Sequence, residues 1–109
     1  MSEDGFDIIV LGGGSGGYAA ALRARELGRT VALVERDQVG GTCLHRGCVP
    51  TKALLHSGEV ADVVRNTAHH GVSASFEAID IAAVHDYRRK IVSKKHAGLT
   101  GLLAARGVA

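Results

Sequence analysis

The sequence predicts an α/β fold, the start of a doubly wound parallel sheet that 109 residues leave incomplete. Three observations predict it. Two short apolar runs, Phe6–Leu11 and Thr30–Val34, flank an alanine- and leucine-rich segment, Ser15–Leu27. A run of glycines joins the first of these runs to that segment. The chain then stops at Val108-Ala109, where an α/β sheet needs its next strand, and two strands alone do not make a stable parallel sheet.

Each element has its own local cause. Phe6–Leu11 is continuously apolar and ends abruptly at glycine, as a strand covered on both faces does. Ser15–Leu27 is rich in good helix formers and is closed by Gly28. Thr30–Val34 is β-branched and short, a second strand. Strand, helix and strand within about thirty residues form a βαβ unit with a right-handed crossover. Asp37–Gly41 reads as a loop. From Thr42 to about His69 the pattern is helical, with Leu54, Leu55, Val60, Val63 and Val64 as its apolar stripe, and Pro50 inside it predicts a kink or irregular first turns. Gly71–Phe76 is a loop or short extended piece, and Asp80 is placed to cap a last helix. That helix carries Ile81, Val84, Ile91, Leu99, Leu102 and Leu103 and ends at Gly107.

Composition excludes several classes of function. The net charge of +2 is small and mixed in sign, which argues against nucleic-acid binding. No apolar run is long enough to span a bilayer. The acidic start, Met1-Ser2-Glu3-Asp4-Gly5, is the reverse of a secretory signal, so a soluble cytoplasmic protein is expected. In that compartment two cysteines are more often free, metal-binding or catalytic than structural. Fifteen glycines are many for this length, and those near the front imply close backbone approach to a ligand.

Gly12-Gly13-Gly14-Ser15-Gly16-Gly17 fits G-x-G-x-x-G in the setting that gives the motif meaning, after a strand and at the start of a helix. Gly12 permits the tight turn, Gly14 lets the backbone approach a pyrophosphate, and Gly17 lets helix and strand pack closely. Ser15 opens the helix whose free amides meet the phosphates. Glu35 ends the second strand, eighteen residues after Gly17, where a carboxylate accepts hydrogen bonds from a ribose. Arg36 beside it lies along an adenine or in solvent. The reading is a Rossmann-like dinucleotide site, with no preference between FAD and NAD.

Gly40-Gly41-Thr42-Cys43-Leu44-His45-Arg46-Gly47-Cys48-Val49-Pro50-Thr51-Lys52 carries the second motif. Residues five apart on a regular helix have Cα atoms roughly 8 to 9 Å apart, whereas a disulfide needs less than about 7 Å. A Cys43–Cys48 bond therefore requires an irregular turn, which Gly47 and Pro50 permit. A zinc site using His45 fits poorly, because structural zinc wants four ligands in closely spaced pairs. Two inert buried thiols remain a third reading.

Gly41-Thr42-Cys43, the four-residue gap, Gly47-Cys48 and Pro50 resemble the active-site signature of the class I pyridine nucleotide-disulfide oxidoreductases, and the likeness runs along the whole chain. Lys52-Ala53-Leu54-Leu55 is most similar to that family's dihydrolipoamide dehydrogenase branch, with mercuric and glutathione reductases as alternatives. The chain departs at His45-Arg46, where the family more often has an asparagine and a small apolar residue. The resemblance implies FAD as cofactor, its ADP half on the first βαβ unit and Gly40, Gly41 and Thr42 beside the disulfide. It implies that Cys43 is the thiol exchanging with substrate, that Cys48 lies against the flavin, and that Lys52 aims its ammonium at the ring. It further implies oxidation of protein-bound dihydrolipoamide with NAD, a lipoyl-bearing acyltransferase of 2-oxo acid dehydrogenase complexes as partner, and a homodimer. Residues 1–109 would then be the first portion of an FAD-binding domain, with the NAD-binding and dimerisation domains outside this chain. A non-enzymatic FAD-binding fragment is the rival expectation.

The remaining polar residues read as surface. His56, His69, His70, His85 and His96 show no ligand spacing, and Arg88, Arg89, Lys90, Lys94 and Lys95 read as a solvated helix face.

Overall fold

Glycine ends the first strand and stands at the N-cap of the next three helices. In the computed structural model, which describes residues 5–109, the order is β1 (Ile8–Leu11), α1 (Ser15–Glu26), β2 (Val31–Val34), α2 (Gly41–His45), α3 (Cys48–Arg65), a short 3₁₀ turn (Thr67–His70) and α4 (Ile81–Ala105). β1 and β2 pair in parallel, Ile8 opposite Val31 and Leu11 opposite Val34, with α1 as the crossover. This is the incomplete α/β sheet the sequence predicts. Ala21 and Ala24 of α1 pack on Val31, with Val10 and Val108 at the margin. Small side chains on α1 let the helix lie close to the strands.

The chain's last residues extend this unit. Ala109 donates to the Val31 carbonyl at 3.0 Å and accepts from the Leu33 amide at 2.7 Å. These bonds place Ala109 beside β2, as the beginning of a third strand would be. Asp7 ties the opposite end: its carboxylate accepts from the Thr30 amide at 2.8 Å and the Thr30 hydroxyl at 3.0 Å. Arg25 links the two C-terminal helix ends, its Nε donating to the Arg106 carbonyl at 2.9 Å and its Nη1 to that of Arg29 at 2.8 Å.

The single helix expected over 42–69 is in fact two. The break falls at Arg46-Gly47, not at Pro50. A Cβ on Gly47 would stand 3.1 Å from the Thr42 carbonyl oxygen, so the chain can fold back here only without a side chain. Pro50 sits in the first turn of α3, where amides have no helical partner and proline costs nothing. α4 returns along α3, with the rings of His56 and Tyr87 6.5 Å apart midway. Asp80 caps α4 as expected, accepting from the Ala83 amide at 3.1 Å. The buried face of α3 is Pro50, Ala53 and Ala61, whereas the predicted stripe residues Leu54, Leu55, Val60 and Val63 are exposed. Small residues are thus the fully buried ones, whereas periodicity alone pointed to the large ones, of which Val64 is half-buried. No helix among the described residues is long and apolar enough to cross a membrane.

Candidate redox and nucleotide site

The two glycine motifs meet. Gly12 continues the ladder by donating to Val34 at 2.8 Å, then turns the chain with a φ of 102°. Gly17 packs so tightly on that turn that a Cβ there would collide with the Gly12 carbonyl oxygen. The Gly40 amide donates to the Gly13 carbonyl at 2.8 Å, and a Cβ on Gly41 would come within 2.7 Å of the Gly14 Cα. Two backbones 27 residues apart in sequence are therefore in direct contact. Gly14 is the N-cap of α1 and gives the first-turn amides no side-chain partner. Those amides and the helix dipole form the positive end that a diphosphate requires.

Glu35 stands at the edge of this turn, half-buried. Its Oε2 accepts from the Gly13 amide at 2.6 Å and its Oε1 from the Asp37 amide at 3.2 Å. The Gly13 bond, followed by that from Asp37, holds the carboxyl below its ordinary range, so it is an anion. Each oxygen keeps a lone pair for a ribose hydroxyl. Glu35, Arg36, Gly41 and Thr42 line one crevice of about 240 Å³ between the end of β2 and α2. The residues present thus fit a dinucleotide: an uncapped helix end, a cradle that side chains would fill, and an anionic acceptor at the ribose position.

The thiols lie at the far side of Gly41. α2 and α3 fold back on each other at Gly47 and bring the Cys43 and Cys48 Cα atoms to 4.7 Å, and the two sulfurs are joined in a disulfide. The irregular turn that spacing demanded is this helix break, and the bond removes both the zinc and the inert-thiol readings. Cys43 is half-buried and lines a cavity of about 280 Å³ with Tyr18, Lys95 and Leu99. Cys48 is exposed as the first residue of α3. Lys52 is one turn further on, also exposed, and lines neither the crevice nor the cavity.

Sequence reasoning missed the contribution of α4. Arg88 and His96 are half-buried rather than solvated, and His96 meets the His45 ring edge-on at 5.1 Å. Positions 88, 92, 96 and 99 share a helix face at near-helical spacing, the one signal that could have marked them. Their neighbours across the fold were not readable, because α4 comes back to α2 only after the chain has turned at Gly47 and run the length of α3.

A strand–helix–strand unit, a glycine cradle at a helix N-terminus and a disulfide beside it together define an α/β unit of the kind that opens a nucleotide-binding domain. The chain belongs to the pyridine nucleotide-disulphide oxidoreductase family, whose profile matches residues 6–109. It is 43% identical over 98 residues to a dihydrolipoyl dehydrogenase of Bacillus subtilis, covering 90% of this chain and 21% of that protein. It is 44% identical over 102 residues to the mitochondrial dihydrolipoyl dehydrogenase of Pisum sativum, covering 92% and 20%. A leghemoglobin reductase of Vigna unguiculata is 42% identical over 102 residues, with the same coverage. The chain spans about a fifth of the length of these relatives.

Proposed function

We propose that this chain supplies the FAD-binding turn and the redox disulfide of an enzyme that oxidises protein-bound dihydrolipoamide with NAD. The observation that carries the proposal is the Cys43–Cys48 disulfide, set against the cradle that Gly14 and Gly41 form. The names of the similar proteins support the substrate. The partner is then a lipoyl-bearing acyltransferase of a 2-oxo acid dehydrogenase complex, and the working form a homodimer in the cytoplasm.

Each site residue has a role on this reading. Gly12, Gly14, Ser15 and Gly17 hold the diphosphate at the start of α1, Glu35 accepts from the ribose, and Arg36 flanks the adenine. Gly40, Gly41 and Thr42 line the cofactor where it passes the disulfide. FAD held there would supply a two-electron acceptor between the two thiols and NAD. The two sulfurs divide the rest. A substrate thiolate attacks the Cys43 sulfur, which opens on its own cavity. The S–S bond breaks and Cys48 leaves as a thiolate at the N-terminus of α3, where the helix dipole stabilises the charge. The second substrate thiolate displaces Cys43 from the mixed disulfide. The substrate leaves as a disulfide, and two electrons remain on the Cys43–Cys48 pair. Lys52, one turn beyond Cys48 on α3, adds positive charge on the cofactor side.

Trapping tests this reading directly. The flavin-loaded full-length protein is reduced with one equivalent of dihydrolipoamide, alkylated with iodoacetamide and mapped by mass spectrometry. Label on Cys43 is expected. Label absent from both cysteines after reduction would remove the disulfide from the reaction.

A further inference from the structure

We propose that the cavity between α2 and α4 is an anion site that binds a phosphate dianion, free or as the end group of a small monoester. It encloses about 290 Å³, open to solvent, and Gln38, His45, Arg88, Arg89, Ser93 and His96 line it. No acidic side chain is among its lining residues. All six of these side chains can donate hydrogen bonds.

Arg88 is the centre of the argument. Its side chain lines the cavity and its guanidinium joins no ion pair among the described residues, while its Nε is sealed from solvent and leaves the terminal nitrogens as the donors within an anion's reach. A buried donor left unpaired carries a desolvation cost that folding alone does not recover. Arg89 pairs through Nη2 with Asp86, on its own helix. His45 donates its Nε2–H to the Val39 carbonyl at 2.9 Å, so its neutral ring braces the cavity wall and has no second N–H for the anion. The His96 ring stands edge-on to it at 5.1 Å.

The donor set selects the ligand. A carboxylate offers two oxygens, whereas a phosphate offers three or four arranged about a tetrahedron. A guanidinium fork engages two of them side by side, and Ser93 and His96 from the same helix and Gln38 from the loop address the rest. The cavity shares the wall formed by Gln38 and His45 with the dinucleotide crevice but contains none of its glycines. Through His45, which lies between the two cysteines, a bound anion would also touch the redox loop.

The test uses the flavin-loaded full-length protein, so that the dinucleotide site is already filled. Inorganic phosphate and glycerol phosphate are titrated at constant ionic strength. Binding is followed by calorimetry and by the imidazole resonances of His45 and His96. Saturable binding that moves both imidazoles is expected, and Arg88→Gln is expected to weaken it by about tenfold or more, the loss of a charge-assisted bond. Tighter binding of glycerol phosphate assigns the ester, and the reverse assigns the free ion. Binding unchanged in folded Arg88→Gln, binding that never saturates, or binding that displaces the flavin overturns the proposal. Should Arg88→Gln fail to fold, His96→Gln is measured instead, and unchanged affinity there overturns it equally.

Discussion

The Glu35 carboxylate accepts the Gly13 amide at 2.6 Å, which joins the end of β2 to the turn after β1. The residue proposed to face the ribose is therefore also a strut of the turn proposed to face the phosphates. Glu35→Ala is expected to loosen flavin retention and the glycine turn together, whereas a purely ligand-facing residue would leave the free protein unchanged. Amide exchange at Gly13 in the flavin-free protein checks this; unaltered protection in the variant would limit Glu35 to the ligand.

The same bond makes stability depend on acid. The Glu35 carboxyl is held below its ordinary value of 4.5 by the Gly13 amide, and Asp7 below its ordinary 3.8 by Thr30. A depressed carboxyl contributes stability that is fully present above its unfolded value and is lost as pH falls through the folded one. Thermal midpoints should therefore decline as pH drops below about 4.5, and less steeply in Glu35→Gln. Parallel profiles for both proteins would show that Glu35 is not the titrating group.

Glycine substitutions should divide by location. Gly41 has a φ of 69°, and a Cβ there would press on the Gly14 Cα, so Gly41→Ala should cost about 1–3 kcal/mol. A Cβ on Gly58, inside α3, would meet nothing within 4 Å, and Gly58→Ala should stabilise by roughly 0.5–1 kcal/mol. Urea midpoints distinguish the two, and equal effects would contradict the contact between the glycine motifs.

The two cysteines should fail in opposite ways. With flavin bound and Cys48 as a thiolate, Cys43→Ser should keep a long-wavelength absorbance band between sulfur and ring but lose dithiol exchange. Cys48→Ser should lose the band and leave Cys43 open to iodoacetamide. A band surviving only in Cys48→Ser reverses the assignment of the two sulfurs.

Asp80 caps α4 through the Ala83 amide, and Asp80→Ala should cost about 1 kcal/mol, whereas Asp80→Asn should recover most of it. A thermal midpoint that does not move in Asp80→Ala would mean that this end of α4 frays in solution.

By itself the sequence determined the elements that depend on neighbouring residues. β1, α1, β2, the cap at Asp80 and the end of α4 at Gly107 each follow from local propensity, periodicity or a glycine next to the element it closes. It also marked Cys43 and Cys48 as a pair that only an irregular turn could join. Tertiary structure decided the rest, because each remaining choice depends on atoms distant in sequence. The break falls at Gly47 rather than Pro50 because the Thr42 carbonyl returns to within 3.1 Å of where a Cβ would be. Small residues, Ala53 and Ala61, are buried on α3 while most of its larger apolar residues stay exposed, a choice that periodicity within α3 does not contain. Glu35 becomes a strut because β1 and β2 lie in register, which delivers the Gly13 amide to its carboxylate. Arg88 turns from a surface charge into a half-buried donor because the chain folds α2 back against α4, a contact that no periodicity in either helix contains.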